Sequence, residues 1–453
     1  MLSLVFVTTA ALFMFMGKFK TGKTFNPLTF FVGFWCFWAI VSMTNPYQMF
    51  AVSNKTYLLV WVQVVCVSLG YLAVAKKNLS AKFDLSEVGS KILYSRTFAF
   101  LQLFVLTFLT FYYFKYKSLL SSMTSNDMRR IIFEKGLLFS SSAEYMFYYW
   151  VITAIIYASL VIAISSFALH GKKNLSLFLV LINCFMFGQV GQGRLVYFYM
   201  MVFLAVGLGL KRDIYKNSTF KIKPKKSWGV YLVLILAVIF IMNRTSARRM
   251  GVSMSFGDSI KVFFTTSVEQ FIIYFTGPFR TLDYFIQSNL VNVTGHTFGR
   301  SVFAGIEEIL TTLLIPIGGS QLQANMANTL MASFTSPAIH IGGGLSFNAF
   351  YTSVMNFYMD GGLPMLICLS FAYGIIMGML YNFCMNNMNI FTFSLLVYTT
   401  YNMITSEMRW NYSAPATWVV VFVLILGHRL YVKRTVGSKG LYDYKSPSLL
   451  TKF

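Results

Sequence analysis

Apolar runs long enough to cross a bilayer recur along this chain, and they constrain its fold more than any other feature. A helix of about 20 apolar residues spans the roughly 30 Å hydrocarbon core of a membrane. The runs fall at about 2–16, 27–44, 56–75, 98–114, 146–169, 176–190, 194–210, 228–243, 362–382, 388–405 and 414–431, which makes eleven expected spans. Only 11% of the residues are charged, about half the fraction of a soluble domain. The expected class is therefore an all-α polytopic membrane protein, one helical bundle rather than a string of soluble domains. The five cysteines, Cys36, Cys66, Cys184, Cys368 and Cys384, lie within or at the ends of apolar runs and form no C-x-x-C. They read as small apolar packing residues rather than disulfides or metal ligands.

The basic residues orient these spans. No basic segment precedes the first apolar run, whereas Lys18, Lys20 and Lys23 follow it. That order predicts an uncleaved first helix with its N-terminus outside and a cytoplasmic C-terminus. The inner segments are then 17–25, 76–97, 171–175, 211–226, 383–387 and the tail region counted from His428, and they hold 23 of the 37 Lys and Arg. Their acids are only Asp84, Glu87, Asp213 and Asp443. The net charge of +23 is thus mostly a topology signal facing anionic lipid, and no nucleic-acid partner is expected. Four parts follow: an eight-span bundle over 1–243, a large extracytoplasmic loop over 244–361, three spans over 362–431 and a basic cytoplasmic tail over 432–453.

The outer face receives the tip of a tight hairpin, "GQGR" at 191–194. Residues 176–210 lie between two basic segments, and 35 helical residues measure about 52 Å, too long for one crossing. Two crossings put both ends inside and the tip outside. The two large outer segments are 115–145 and 244–361. In the second, "SIKVFFTTSVEQFIIYF" and "SVFAGIEEILTTLLIPI" are apolar at helical spacing and read as helices lying on or dipping into the outer interface; a further pair of spans is the alternative. "GQVGQG" and "HIGGGLSFN" read as flexible turns.

Outside, arginine replaces lysine. The outer segments hold 14 Lys and Arg, nine of them Arg: Arg129, Arg130, Arg194, Arg244, Arg248, Arg249, Arg280, Arg300 and Arg409. Guanidinium is planar, permanently charged and bidentate toward phosphate. Arg194, Arg244 and Arg409 sit at span ends, the depth at which arginines from several helices converge on a phosphate group near the headgroups. Two plainer roles stand beside that one. Edge arginines such as Arg248, Arg249 and Arg300 snorkel to lipid phosphate, and Arg280 has Asp283 three residues away as a partner. No H-E-x-x-H, carboxylate cluster or G-x-x-x-x-G-K-[ST] occurs, so neither a metal nor a nucleotide cofactor is expected. The stretch 339–365 collects Asn348, Tyr351, Tyr358 and Asp360 before Gly361-Gly362, equipment that suits sugar binding as well as an interfacial aromatic belt.

Four features together resemble the Wzy-type oligosaccharide repeat-unit (O-antigen) polymerases, which are similar to O-antigen ligases. They are the "GQGR" tip, Arg244 after the next span, "YFTGPFRTLDYF" followed by "GHTFGR", and "FNAFYTSVMNFYMDGGLPM". The resemblance implies a GT-C-like bundle of about 11 transmembrane helices in a bacterial cytoplasmic (inner) membrane, with its active site facing the exterior. It implies a metal-independent glycosyltransferase of polysaccharide biosynthesis, with undecaprenyl-pyrophosphate-linked oligosaccharides as donor and acceptor and a chain-length regulator protein as partner. Arg194, Arg244, Arg280 and Arg409 would hold pyrophosphate. Asn348, Tyr351, Tyr358 and Asp360 would line the sugar or shape the loop. His340, Asp360 and Glu407 stay open as the base. Near the place where the ligases carry a histidine, Asn348 stands, and the nearest histidine, His340, lies eight residues earlier; this favours polymerase over ligase. A lipid-linked oligosaccharide flippase is the other alternative.

Overall fold

A computed structural model describes residues 1–77, 95–120, 137–171, 175–191, 195–215, 268–288, 291, 295–314, 326–347 and 350–438. The expected span 228–243, the outer segment 121–136, and the site candidates Arg194, Arg244 and Asn348 lie outside the described residues.

The helices are α1 (Leu2–Thr21), α2 (Pro27–Met43), α3 (Asn54–Val74) and α4 (Arg96–Leu120). Then come α5 (Ser142–His170), α6 (Leu175–Val190) and α7 (Leu195–Tyr215). After them follow α8 (Val268–Gln287), α9 (Ala304–Leu314) and α10 (Ala327–Thr335). The last four are α11 (Ser353–Met359), α12 (Gly362–Asn386), α13 (Ile390–Thr405) and α14 (Pro415–Ser438). Seven of them (α1, α3, α4, α5, α7, α12 and α14) are long and apolar enough to cross a membrane, as expected of a polytopic protein. The strands β1 (Ile339–Gly342) and β2 (Leu345–Phe347) pair antiparallel. The stretch expected to be a flexible turn is therefore a hairpin, and among the described residues the fold is all-α but for it.

Local chemistry sets the helix ends. Asn26 caps α2 by accepting from Thr29 N at 3.1 Å, and Pro27 follows at the first helical position. Ser53 caps α3, and Asn389 with Thr392 forms a capping box on α13. Gly22 and Gly171 close α1 and α5 in the left-handed conformation, at φ +70 and +66.

The centre of the bundle is α13, every residue of which is buried. It packs against α2, α5, α7, α12 and α14. The tightest pair is α3 with α12. A Cβ on Gly70, or on Gly374 or Gly378, would come well inside 3.0 Å of the backbone of the facing helix, so glycine lets the two backbones meet. Some polar side chains within the helices pair with one another: Asn183 Nδ2 donates to Gln102 Oε1 (2.9 Å) and Gln102 Nε2 to Ser159 Oγ (2.9 Å). Unpaired in an apolar bundle, each would carry a desolvation cost.

The two ends of the bundle differ. At one end Lys18, Lys20, Lys76 and Lys77 line a cleft of about 710 Å³ between the C-terminal ends of α1 and α3, and Lys211 Nζ donates to Ala168 O at 2.6 Å. The other end carries the α2–α3 loop, the hairpin and α8–α11. There α8 packs against α2: Phe275 stacks on Trp38 of α2 at 4.5 Å and meets Phe34 edge-on at 5.2 Å.

Candidate functional site at the loop-bearing end

Arg280 lies on the buried face of α8, only 4% exposed. Its Nη1 donates to Ser42 Oγ (2.8 Å) and Thr276 O (2.8 Å), and its Nη2 to Ser42 O (3.0 Å) and Asn45 Oδ1 (3.3 Å). Tyr57 OH donates to the same Ser42 hydroxyl at 3.0 Å. All four acceptors are neutral, and Nε has no partner among the described residues. Asp283, the sequence neighbour that offered a salt bridge, is committed elsewhere: it accepts from Ser53 N (3.2 Å), Ser53 Oγ (2.5 Å) and Thr56 Oγ1 (2.7 Å) at the start of α3. The guanidinium is therefore held in place with its charge uncompensated by a bonded carboxylate.

The backbone beside it is strained. Asn45, Tyr47 and Gln48 have φ of +48, +57 and +58. Non-glycine residues in that region cost of order 1 kcal/mol or more each, and such strain gathers at functional sites. The loop is clamped on its far side by the hairpin. Phe50 N donates to Ile341 O at 2.8 Å and Met49 bridges Gly342. Met49, Ile341 and Phe347 form a small buried cluster. His340 is exposed; its Nδ1 lies 3.0 Å from Leu345 O, and its ring meets Phe50 edge-on at 5.3 Å. The carbonyl selects the tautomer protonated on Nδ1, which leaves Nε2 as the basic nitrogen.

A second knot joins two motifs some sixty residues apart. Asp360 is fully buried. Its Oδ1 accepts from Thr297 Oγ1 (2.5 Å) and Ser301 N (2.9 Å), and its Oδ2 from Val302 N (3.1 Å). Thr297 N and Phe298 N donate to the carbonyls of Met359 and Asp360. "GHTFGR" is thus sewn to the start of α12, and Asp360 acts as a loop-shaping carboxylate. Tyr351 is buried, with its OH on Phe334 O at 2.8 Å, and Tyr358 is half-buried against the core. Asn356, not singled out from sequence, donates to Ser301 O and Ser301 Oγ at 3.3 and 3.1 Å.

Arg409 is exposed in the turn between α13 and α14, where Trp410 Nε1 donates to Val302 O at 2.8 Å. Its charge acts on Glu308 of α9, whose carboxyl burial pushes upward while Asn328, Trp150 and Arg409 pull it back. Arg280 and Arg409 do not touch: one is set against α2, the other faces α9. Arg300, a snorkelling candidate, instead pairs with Glu307 at 2.5 Å. Glu407 is fully buried, with no partner for either oxygen among the described residues. Two residues of the Arg280 setting, Ser42 and Asn45, were not singled out from sequence; the one signal was the Asn-Pro turn in "MTNPYQ".

Comparisons with protein-family models, curated proteins and solved structures gave no match. The described residues define a class, a multi-pass α-helical membrane protein with a buried cation at its loop-bearing end.

Proposed function

We propose that this chain is a glycosyltransferase that polymerises undecaprenyl-pyrophosphate-linked oligosaccharide repeat units at the outer face of a bacterial cytoplasmic membrane. The bundle is GT-C-like, with about eleven spans and its loop-bearing end outside. The observation that supports this reading is Arg280: a guanidinium buried among four neutral acceptors beside strained backbone. A buried cation with no carboxylate bonded to it is suited to a multiply charged phosphate leaving group.

In the proposed reaction Arg280, with Arg194, Arg244 and Arg409, binds the donor's pyrophosphate. The bond from the anomeric carbon to the phosphate oxygen breaks, and its electron pair leaves with the lipid pyrophosphate. A hydroxyl oxygen of the acceptor repeat unit forms the new glycosidic bond, and its proton passes to Nε2 of His340. Asp360 is the weaker candidate for that proton because its oxygens already accept three hydrogen bonds.

The test is a purified-protein assay with lipid-linked repeat units alone. A ladder of longer glycans, lost in Arg280→Gln while the protein stays folded, is expected. Product only when lipid A-core is added means a ligase, and no chemistry with either acceptor revives the flippase.

A further inference from the structure

With Met49 pinned beneath the hairpin, the residues on either side of it project outward. Tyr47 is 40% exposed and Phe50 55% exposed, and the amide side chain of Gln48 is exposed with them. These rings stand on backbone that is packed and hydrogen-bonded against the hairpin. A Cβ on Gly342 or Gly343 would run into the backbone of Gln48 and Phe50, or of Tyr47, well inside 3.0 Å. Hairpin and loop are therefore locked face to face. Arg280 ties the near end of the loop through Asn45, and the Met49 and Phe50 backbone ties hold the far end. The outcome is two exposed rings, two amides (Asn45 and Gln48) and His340, all fixed within one short loop and hairpin around a buried cation.

We propose that Tyr47 and Phe50 form a carbohydrate-binding platform that holds the sugars next to the pyrophosphate bound at Arg280. The assignment rests on the polymerase reading, since it places the glycan of the same lipid-linked substrate. Pyranose rings present apolar C–H faces and a rim of hydroxyls. Rigid aromatic rings take the faces at little entropic cost, and the amides of Asn45 and Gln48 take hydroxyls. An interfacial aromatic belt also exposes rings. Such a belt requires neither three left-handed non-glycine residues nor a glycine-locked clamp, and both are found here.

The experiment measures binding of two probes to the purified full-length protein in detergent. One is undecaprenyl pyrophosphate; the other is the undecaprenyl-pyrophosphate-linked oligosaccharide extracted from cells that make the protein. Wild type is expected to bind the glycan-bearing lipid about tenfold more tightly than the bare one. Tyr47→Ala/Phe50→Ala should lose that difference while binding bare lipid pyrophosphate as wild type does. Tyr47→Phe should keep it. Thermal unfolding of each variant controls for folding. If the double variant keeps the wild-type difference, or wild type has none, the platform is wrong and the rings face lipid. If wild type binds neither probe, the polymerase reading falls and the platform with it.

Discussion

Exchanging guanidinium for ammonium at Arg280 separates shape from charge. Lysine presents a point charge and cannot reach Ser42, Thr276 and Asn45 together. Arg280→Lys is expected to lower the polymerisation rate by about 10²-fold or more, read as ladder formation against time, whereas wild-type rates would mean that charge alone suffices. Asp360 has a different role. Asp360→Asn turns an NH₂ group toward backbone donors, so it should cost about 1–3 kcal/mol of stability and lower the unfolding temperature more than it slows any surviving activity. Glu407 reports through pH. Burial pushes its carboxyl well above the ordinary carboxylate range, so the folded protein keeps a proton that the unfolded chain releases above about pH 4.3. The stability contribution is intact below that pH. It falls by about 1.4 kcal/mol per pH unit above it, until the folded-state carboxyl ionises. Glu407→Gln should remove this slope, so its advantage in unfolding temperature over wild type should be larger at pH 8 than at pH 5.

The elements of the bundle were legible because a run of apolar residues has one solution in lipid. Of the eleven expected spans, seven are helices long and apolar enough to cross a membrane. Those expected at 27–44, 176–190 and 388–405 are shorter helices, and that at 228–243 lies outside the described residues. Helix α1 continues past its apolar run through Lys18 and Lys20 to Gly22. Tertiary pairing was not legible. "IHIGGG" carries the signature of a loose loop; it becomes a strand by pairing with Leu345–Phe347, with the α2–α3 loop lying against it. Nor does anything in "NPYQ" announce three left-handed residues, since tyrosine and glutamine have no preference for that conformation. Asp360 stood out as a carboxylate before an apolar run, but its partners at Ser301 and Val302 are backbone N–H groups without a side-chain signature. The clamp can be tested as an element. Gly343→Ala puts a side chain at φ +58 against Tyr47 O and should detach the hairpin from the loop. Faster amide exchange at Phe50, with the helices unchanged, is the expected outcome.

For the molecule as a whole, the lysines of the 710 Å³ cleft and the loop-bearing end mark opposite membrane faces in the proposed topology. A cysteine placed at Lys77 should react with an impermeant thiol reagent only after the membrane is opened, and one at Lys55 should react in intact cells; the reverse pattern would invert the orientation. The glycine-lined seam between α3 and α12 adds a constraint in time. Gly70 and Gly374 leave the ribosome some three hundred residues apart, about 15 to 60 s at ordinary synthesis rates. For that interval α3 is in the membrane with a bare backbone groove and no helix to fill it. The glycine groove of α3 is therefore filled only once α12, which begins at Gly362, has been made.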